Sequence, residues 1–162
     1  MNKPEIRVEH IDMPIIYVRF KGSYMDFRKK SRSLFNHLFD YAQTYELIDE
    51  GVTKVLTIYH DNPFITKEAQ LRTSVAMTVP MQAETPQEGQ IGSLRLQGRY
   101  AVLTFELGLG EYGEAWRYAY DEYLLDHHEY HPRDAAPFEL YVNEPPKDSK
   151  GKSMVAIYLP IE

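Results

Sequence analysis

Six side chains are of a type and placement that could do chemistry together: Glu139, Tyr141, Tyr59, Tyr17, Tyr158 and Trp116. Side chains alternate along a strand, so in the run FELYVN the apolar Phe138, Leu140 and Val142 share one face, and Glu139, Tyr141 and Asn143 share the other. In the run VLTIY the same alternation sets Thr57 and Tyr59 opposite Leu56 and Ile58, and parity adds Tyr17 and Tyr158 to the polar set. A carboxylate among tyrosines has a physical use. The rings turn their negative faces to a cation, each contact contributing about 0.5–2 kcal/mol, and the carboxylate supplies the counter-charge. The expected ligands are apolar cations and aromatic compounds. If the chain is an enzyme, Glu139 is the catalytic group, a general base on water, with Tyr141 or Tyr59 steadying a leaving oxygen. On a sheet solvated on one face the same residues would be ordinary strand positions. Trp116, placed with the ligand-binding set, also falls with Tyr120 and Tyr123 on a helical stripe of the kind that packs a core.

The elements that must position these residues come in two copies. The first half reads IYVRFKG, an amphipathic segment from about Met25 to Leu47, VLTIYHDNP and LRTSVAMTVP. The second reads YAVLTFELG, an amphipathic segment from about Glu111 to Asp126, FELYVNEPP and MVAIYLPIE. Aligning Pro63 with Pro145 gives an offset of 145 − 63 = 82, which also pairs Tyr59 with Tyr141 and Thr57 with Glu139. The long segments have helical periodicity, and the short β-branched and aromatic runs ending at Pro or Gly read as strands. The expected fold is α+β, with duplicated β-α-β-β halves at about 5–80 and 91–162, a polar linker at 81–92 and one domain overall. A three-strand sheet with one helix buries too little alone, so the halves are expected to share a sheet about a pseudo-two-fold axis, with a central ligand cleft at the seam. The apolar strand faces are expected to pack under the helices.

Other signals exclude more than they assign. Gly108-Leu109-Gly110-Glu111-Tyr112-Gly113 fits G-x-G-x-x-G, but a dinucleotide site needs a parallel βαβ sheet, which paired short strands do not make. His127, His128 and His131 lack zinc-site spacing and fall at a helix end, so no metal or cofactor is expected. Cysteine is absent, which removes disulfides, thiolate metal sites and a cysteine nucleophile. The formal charge of −6, with no basic run longer than Arg28-Lys29-Lys30, argues against direct nucleic-acid binding. Neither a signal-peptide pattern nor an apolar span is seen, so the expectation is a cytoplasmic protein without membrane contact.

The runs IYHDNP, QLRTSVAMTVP, GRYAV and PFELYVNEP, in this order and spacing, resemble the DNA gyrase inhibitory protein (GyrI-like) family, which is related to the effector-binding domains of AraC-type and multidrug-responsive regulators. The likeness runs from about Ile6 to Ile161. It implies a duplicated strand-helix-strand-strand fold binding small apolar or cationic molecules, with the family's acidic residue at Glu139, Tyr141 beside it and Tyr59 from the other half. It also implies toxin sequestration, hydrolysis of electrophilic toxins by the same glutamate, or action on DNA gyrase as a protein partner. Because the repeat takes up the whole stretch, no DNA-binding helix-turn-helix is expected.

Overall fold

The computed structural model describes residues 1–125, 129–143 and 151–162. Strand β1 (Glu5–Lys21) leads to helix α1 (Tyr24–Thr44), then β2 (Val55–Tyr59), a short 3₁₀ turn (Glu68–Gln70) and β3 (Arg72–Thr78). The second pass is β4 (Ile91–Leu107), α2 (Tyr112–Arg117), a π-helical continuation (Tyr118–Leu125), β5 (Phe138–Tyr141) and β6 (Ser153–Pro160). The α+β class and the strand-helix-strand-strand order of both halves are as expected. Strands β1 and β4 are longer than expected, 17 residues each, because the charged run around Arg7 and Glu9 extends in β1 and the run around Arg95 and Arg99 extends in β4.

The chain forms two compact units, Asp12–Gln97 and Met1–Ile11 with Gly98–Glu162. In the unit Asp12–Gln97, β3 pairs antiparallel with both β1 and β2, in registers that include Val18↔Val75 and Thr57↔Val75. β1 and β2 are therefore parallel and separated by one strand, which lets α1 cross over a single face of the sheet. The Ser23 Oγ accepts the Asp26 N–H at 3.0 Å and starts α1. Phe27, Leu38, Tyr41 and Ala42 then recur at helical spacing and pack on Ile16, Val18, Val75 and Met77.

The other unit repeats this plan. β6 pairs antiparallel with β4 and β5, in registers that include Leu103↔Ile157 and Glu139↔Ile157. Ala115, Ala119, Tyr123 and Leu124 pack on Leu103, Phe105, Val155 and Ile157. Gly108-Leu109-Gly110 is the turn between β4 and α2. The Gly108 N–H donates to Glu111 Oε1 at 2.9 Å, and this bond holds the Glu111 carboxyl below the usual range. With β6 between β4 and β5, the parallel pair that a dinucleotide motif requires is not formed.

One expectation about the sheet is corrected. Glu139 is opposite Ile157 and Thr57 is opposite Val75, so the helices cover the faces of Glu139, Tyr141, Thr57 and Tyr59, not those of Phe138 and Leu56. Both faces of β5 are buried, with Phe138 at 0%, Glu139 at 3% and Leu140 at 8% exposure, so alternation alone could not tell which face the helix takes.

Candidate functional site

Glu139 sits in the middle of β5, under α2, with its carboxylate withdrawn from water. Burying such a group costs free energy unless it is hydrogen-bonded. Trp116, one residue from the end of α2, donates its indole Nε1–H to Glu139 Oε1 at 2.8 Å. The Tyr141 hydroxyl, two residues along the same strand and so on the same face, donates to Oε2 at 2.9 Å. Both donors belong to half-buried aromatic side chains, so the carboxylate is held by the polar edges of two rings.

The backbone that carries Trp116 is irregular. After Arg117 the helix widens into a π-helix, where hydrogen bonds skip one residue further than in an α-helix, and such segments cluster at functional sites. Trp116 stacks on Tyr120 with ring centres 5.9 Å apart and planes inclined by 25°. Trp116 is thus bound from two sides. It packs on the core, and its one polar atom holds Glu139.

The remaining sequence-derived residues separate. Tyr158 is opposite Phe138, on the face away from Glu139, and its ring stacks on Phe138 at 4.5 Å. Its hydroxyl donates to Glu9 Oε2 at 3.4 Å, and burial raises its pKa. Tyr17 is opposite Ala76, which is opposite Leu56, so it too lies on the face away from Tyr59. Its ring fills the space a side chain on Gly92 would need. Parity read along single strands had grouped these two with Glu139. The pairing register decides the face, and it puts Tyr158 away from Glu139 and Tyr17 away from Tyr59. Tyr59 is on the helix-covered face of the unit Asp12–Gln97, edge-on to Tyr24 at 5.6 Å.

One neighbour of the site was read in the sequence only as a helix position. Tyr112, in the first turn of α2, is close enough to Glu139 to feel its charge; burial raises its pKa, the nearby Ser153 hydroxyl holds it back, and Glu139 adds to the rise. Only its place four residues before Trp116 marks it in the sequence, since both then fall on one helix face. Among the described residues no group of three or more His, Cys, Asp or Glu could hold a metal, and His127 and His128 lie outside the described residues. No described helix is long and apolar enough to cross a membrane.

Residues 4–162 match the GyrI-like small-molecule-binding domain, and the chain belongs to that family. No curated protein sequence matches it. Among solved structures, the EcmrR C-terminal domain is similar at a TM-score of 0.72 and 17% identity, with 98% of each chain covered. In the EcmrR–DNA complex the likeness covers 57% of the EcmrR chain, so this chain spans little more than half of that protein. SAV2435 bound to tetraphenylphosphonium is similar at 0.61 and 12% identity, covering 98% of this chain and 94% of that one. A hydrolase encoded by lin2189 from Listeria innocua is similar at 0.60 and 15% identity, covering 99% and 93%. At these identities the likeness shows a shared fold.

Proposed function

We propose that this protein binds apolar organic cations and flat aromatic compounds at Glu139, as a sequestering or sensing protein of the cytoplasm. The observation that carries this reading is the carboxylate itself, 3% exposed and bonded to Trp116 and Tyr141. A charge that is costly to bury, yet kept among aromatic rings, suits a ligand that brings the opposite charge and little need of water. The structural neighbour SAV2435, which holds tetraphenylphosphonium, supports the same ligand class.

The test is thermal denaturation of the parent and Glu139→Gln with tetraphenylphosphonium and with a neutral aromatic. A ligand at a hundred times its Kd stabilises by about 2.7 kcal/mol, equivalent to about 5–10 °C for a chain of this size. The expected result is a cation shift in the parent that is mostly lost in Glu139→Gln, and a neutral-aromatic shift kept by both. Equal cation shifts in the two proteins would overturn the reading.

The Listeria innocua neighbour favours a second reading, hydrolysis with Glu139 as general base and the Tyr141 hydroxyl beside it. Loss of the base would then cut turnover by about 10²- to 10⁴-fold while neutral-ligand binding stayed intact. Action on gyrase would show instead as salt-sensitive retention of gyrase that is indifferent to Glu139→Gln.

A further inference from the structure

The hydroxyl of Ser153, the first residue of β6, is withdrawn from water and unused. Ser153 is 3% exposed, and its Oγ has no hydrogen-bond partner among the described residues. A buried polar group in that state costs stability that an apolar side chain would not. The fold does not require it. At the offset of 82, Ser153 corresponds to Leu71 as Glu139 does to Thr57, and Leu71 fills its position with an apolar side chain at 3% exposure. Thr73 Oγ1, in the other unit, is also without a partner, but threonine suits a strand by its branched shape, whereas serine brings little there except its hydroxyl.

The serine belongs to the face of Glu139. Tyr141 is opposite Val155 and Glu139 is opposite Ile157, so Ser153, two residues before Val155 on the same strand, points the same way. It lies about 7 Å along β6 from Val155, the residue across from the tyrosine whose hydroxyl holds Glu139. Tyr112 packs on the same cluster as Trp116 and Tyr141 and is close to both Ser153 and Glu139, yet it is not placed to bond the Ser153 hydroxyl. Glu139 thus has its donors within the protein, and Ser153 has no protein group to bond.

We infer that Ser153 is a specificity residue of the Glu139 site, donating its hydroxyl to an acceptor oxygen, a carbonyl or an ether, on the bound ligand. Ligands that carry such an oxygen beside their apolar ring are then preferred over purely hydrocarbon ones. Because the hydroxyl is already dry, only the ligand's oxygen gives up water on binding, and the bond contributes more of its full strength than one made at the surface. The inference rests on the reading of Glu139 as the ligand site.

Trp116 is the single tryptophan of the chain and donates to Glu139, so its fluorescence reports binding at this site. The experiment titrates the parent, Ser153→Ala and Glu139→Gln with trimethyl(4-phenylbutyl)ammonium and with its 4-oxo analogue, which differ only by a CH₂ against a C=O. The parent is expected to bind the ketone about fivefold or more tightly than the hydrocarbon, Ser153→Ala to bring that ratio to about one, and Glu139→Gln to weaken both compounds and keep the ratio. Ser153→Ala should melt no lower than the parent, since it removes only an unbonded oxygen. A serine with a purely structural role would instead lower Tm and leave the ratio alone. The inference falls by itself if both compounds bind the parent equally, as they would where water satisfies Ser153, or if Ser153→Ala keeps the parent's ratio. If neither compound changes the parent's fluorescence at millimolar concentration, it falls together with the reading of Glu139.

Discussion

The two units share an element order but differ at one pair of positions. On the helix-covered face, β5 carries Glu139 followed by Tyr141, where β2 carries Thr57 followed by Tyr59. The helices differ in the same sense. α1 runs 21 regular residues over an apolar face, whereas α2 has only 6 before it widens into a π-helix. Regular packing thus goes with the neutral strand and irregular packing with the charged one. The simplest explanation, that a polar strand position merely faces water, fails because Thr57 is 6% and Glu139 3% exposed. What distinguishes them is charge: Glu139 is a carboxylate with an indole and a phenol donating to its oxygens, and Thr57, a neutral hydroxyl, lies across from Val75, which belongs to the cluster with Met77 and Leu38.

The most severe way to break this comparison is to give the neutral unit the charge. Thr57→Glu would bury a carboxylate beside Val75, and we expect a loss of about 3 kcal/mol or more in urea denaturation. A loss under about 1 kcal/mol would mean that this sheet accepts a carboxylate at position 57 as readily as a hydroxyl, and the contrast between the units would fall.

A smaller effect sharpens it. Trp116→Phe keeps the ring packing but removes the donor to Glu139 Oε1, and should cost about 1–3 kcal/mol. In a Glu139→Leu background, where there is no carboxylate to strand, the same change should cost about 1–2 kcal/mol less. Equal costs in both backgrounds would make Trp116 a packing residue only.

Much of this contrast was legible in the residues. Strand-helix-strand-strand order follows from short β-branched runs around long periodic segments, and the offset of 82 already set Thr57 against Glu139. The offset also relates β3 to β6, since 72 + 82 = 154 and 78 + 82 = 160, against an observed Ser153–Pro160. Glu139 and Tyr141 share a face by alternation alone. The positions of Tyr17 and Tyr158 were not legible, because a face is fixed by which residue lies opposite, and pairing register is a long-range property. Nor was the helix side of the sheet, since both faces of β5 are buried. The π-helix was hidden for a related reason. Its run YAYDEYLL has apolar residues at near-helical spacing, and only tertiary contacts decide between the two windings.

The smallest effect concerns the unit without Glu139 and is read through pH. His60, just past β2, has Nε2 at 2.7 Å from Ser74 Oγ. Burial, then the charges of Arg19 and Arg72, lower its pKa from 6.5 to about 4, against a weaker pull upward from Asp61. The unfolded chain therefore takes up a proton near pH 6.5 that the folded protein refuses until about pH 4. Stability from this group is complete above pH 6.5 and is lost as pH falls through that window, by about 2 kcal/mol once partial solvent screening is allowed for. The Asp61 carboxyl, held low by its bond to Arg72, gives stability that is present above its ordinary pKa of 3.8 and is lost below it, so it does not contribute in the His60 window. Urea midpoints measured between pH 7 and 4.5 should fall in the parent, and His60→Gln should flatten that part of the slope. A variant with the parent's slope would show that the acid sensitivity comes from elsewhere, and would leave burial at the end of β2 without the electrostatic cost assigned to it.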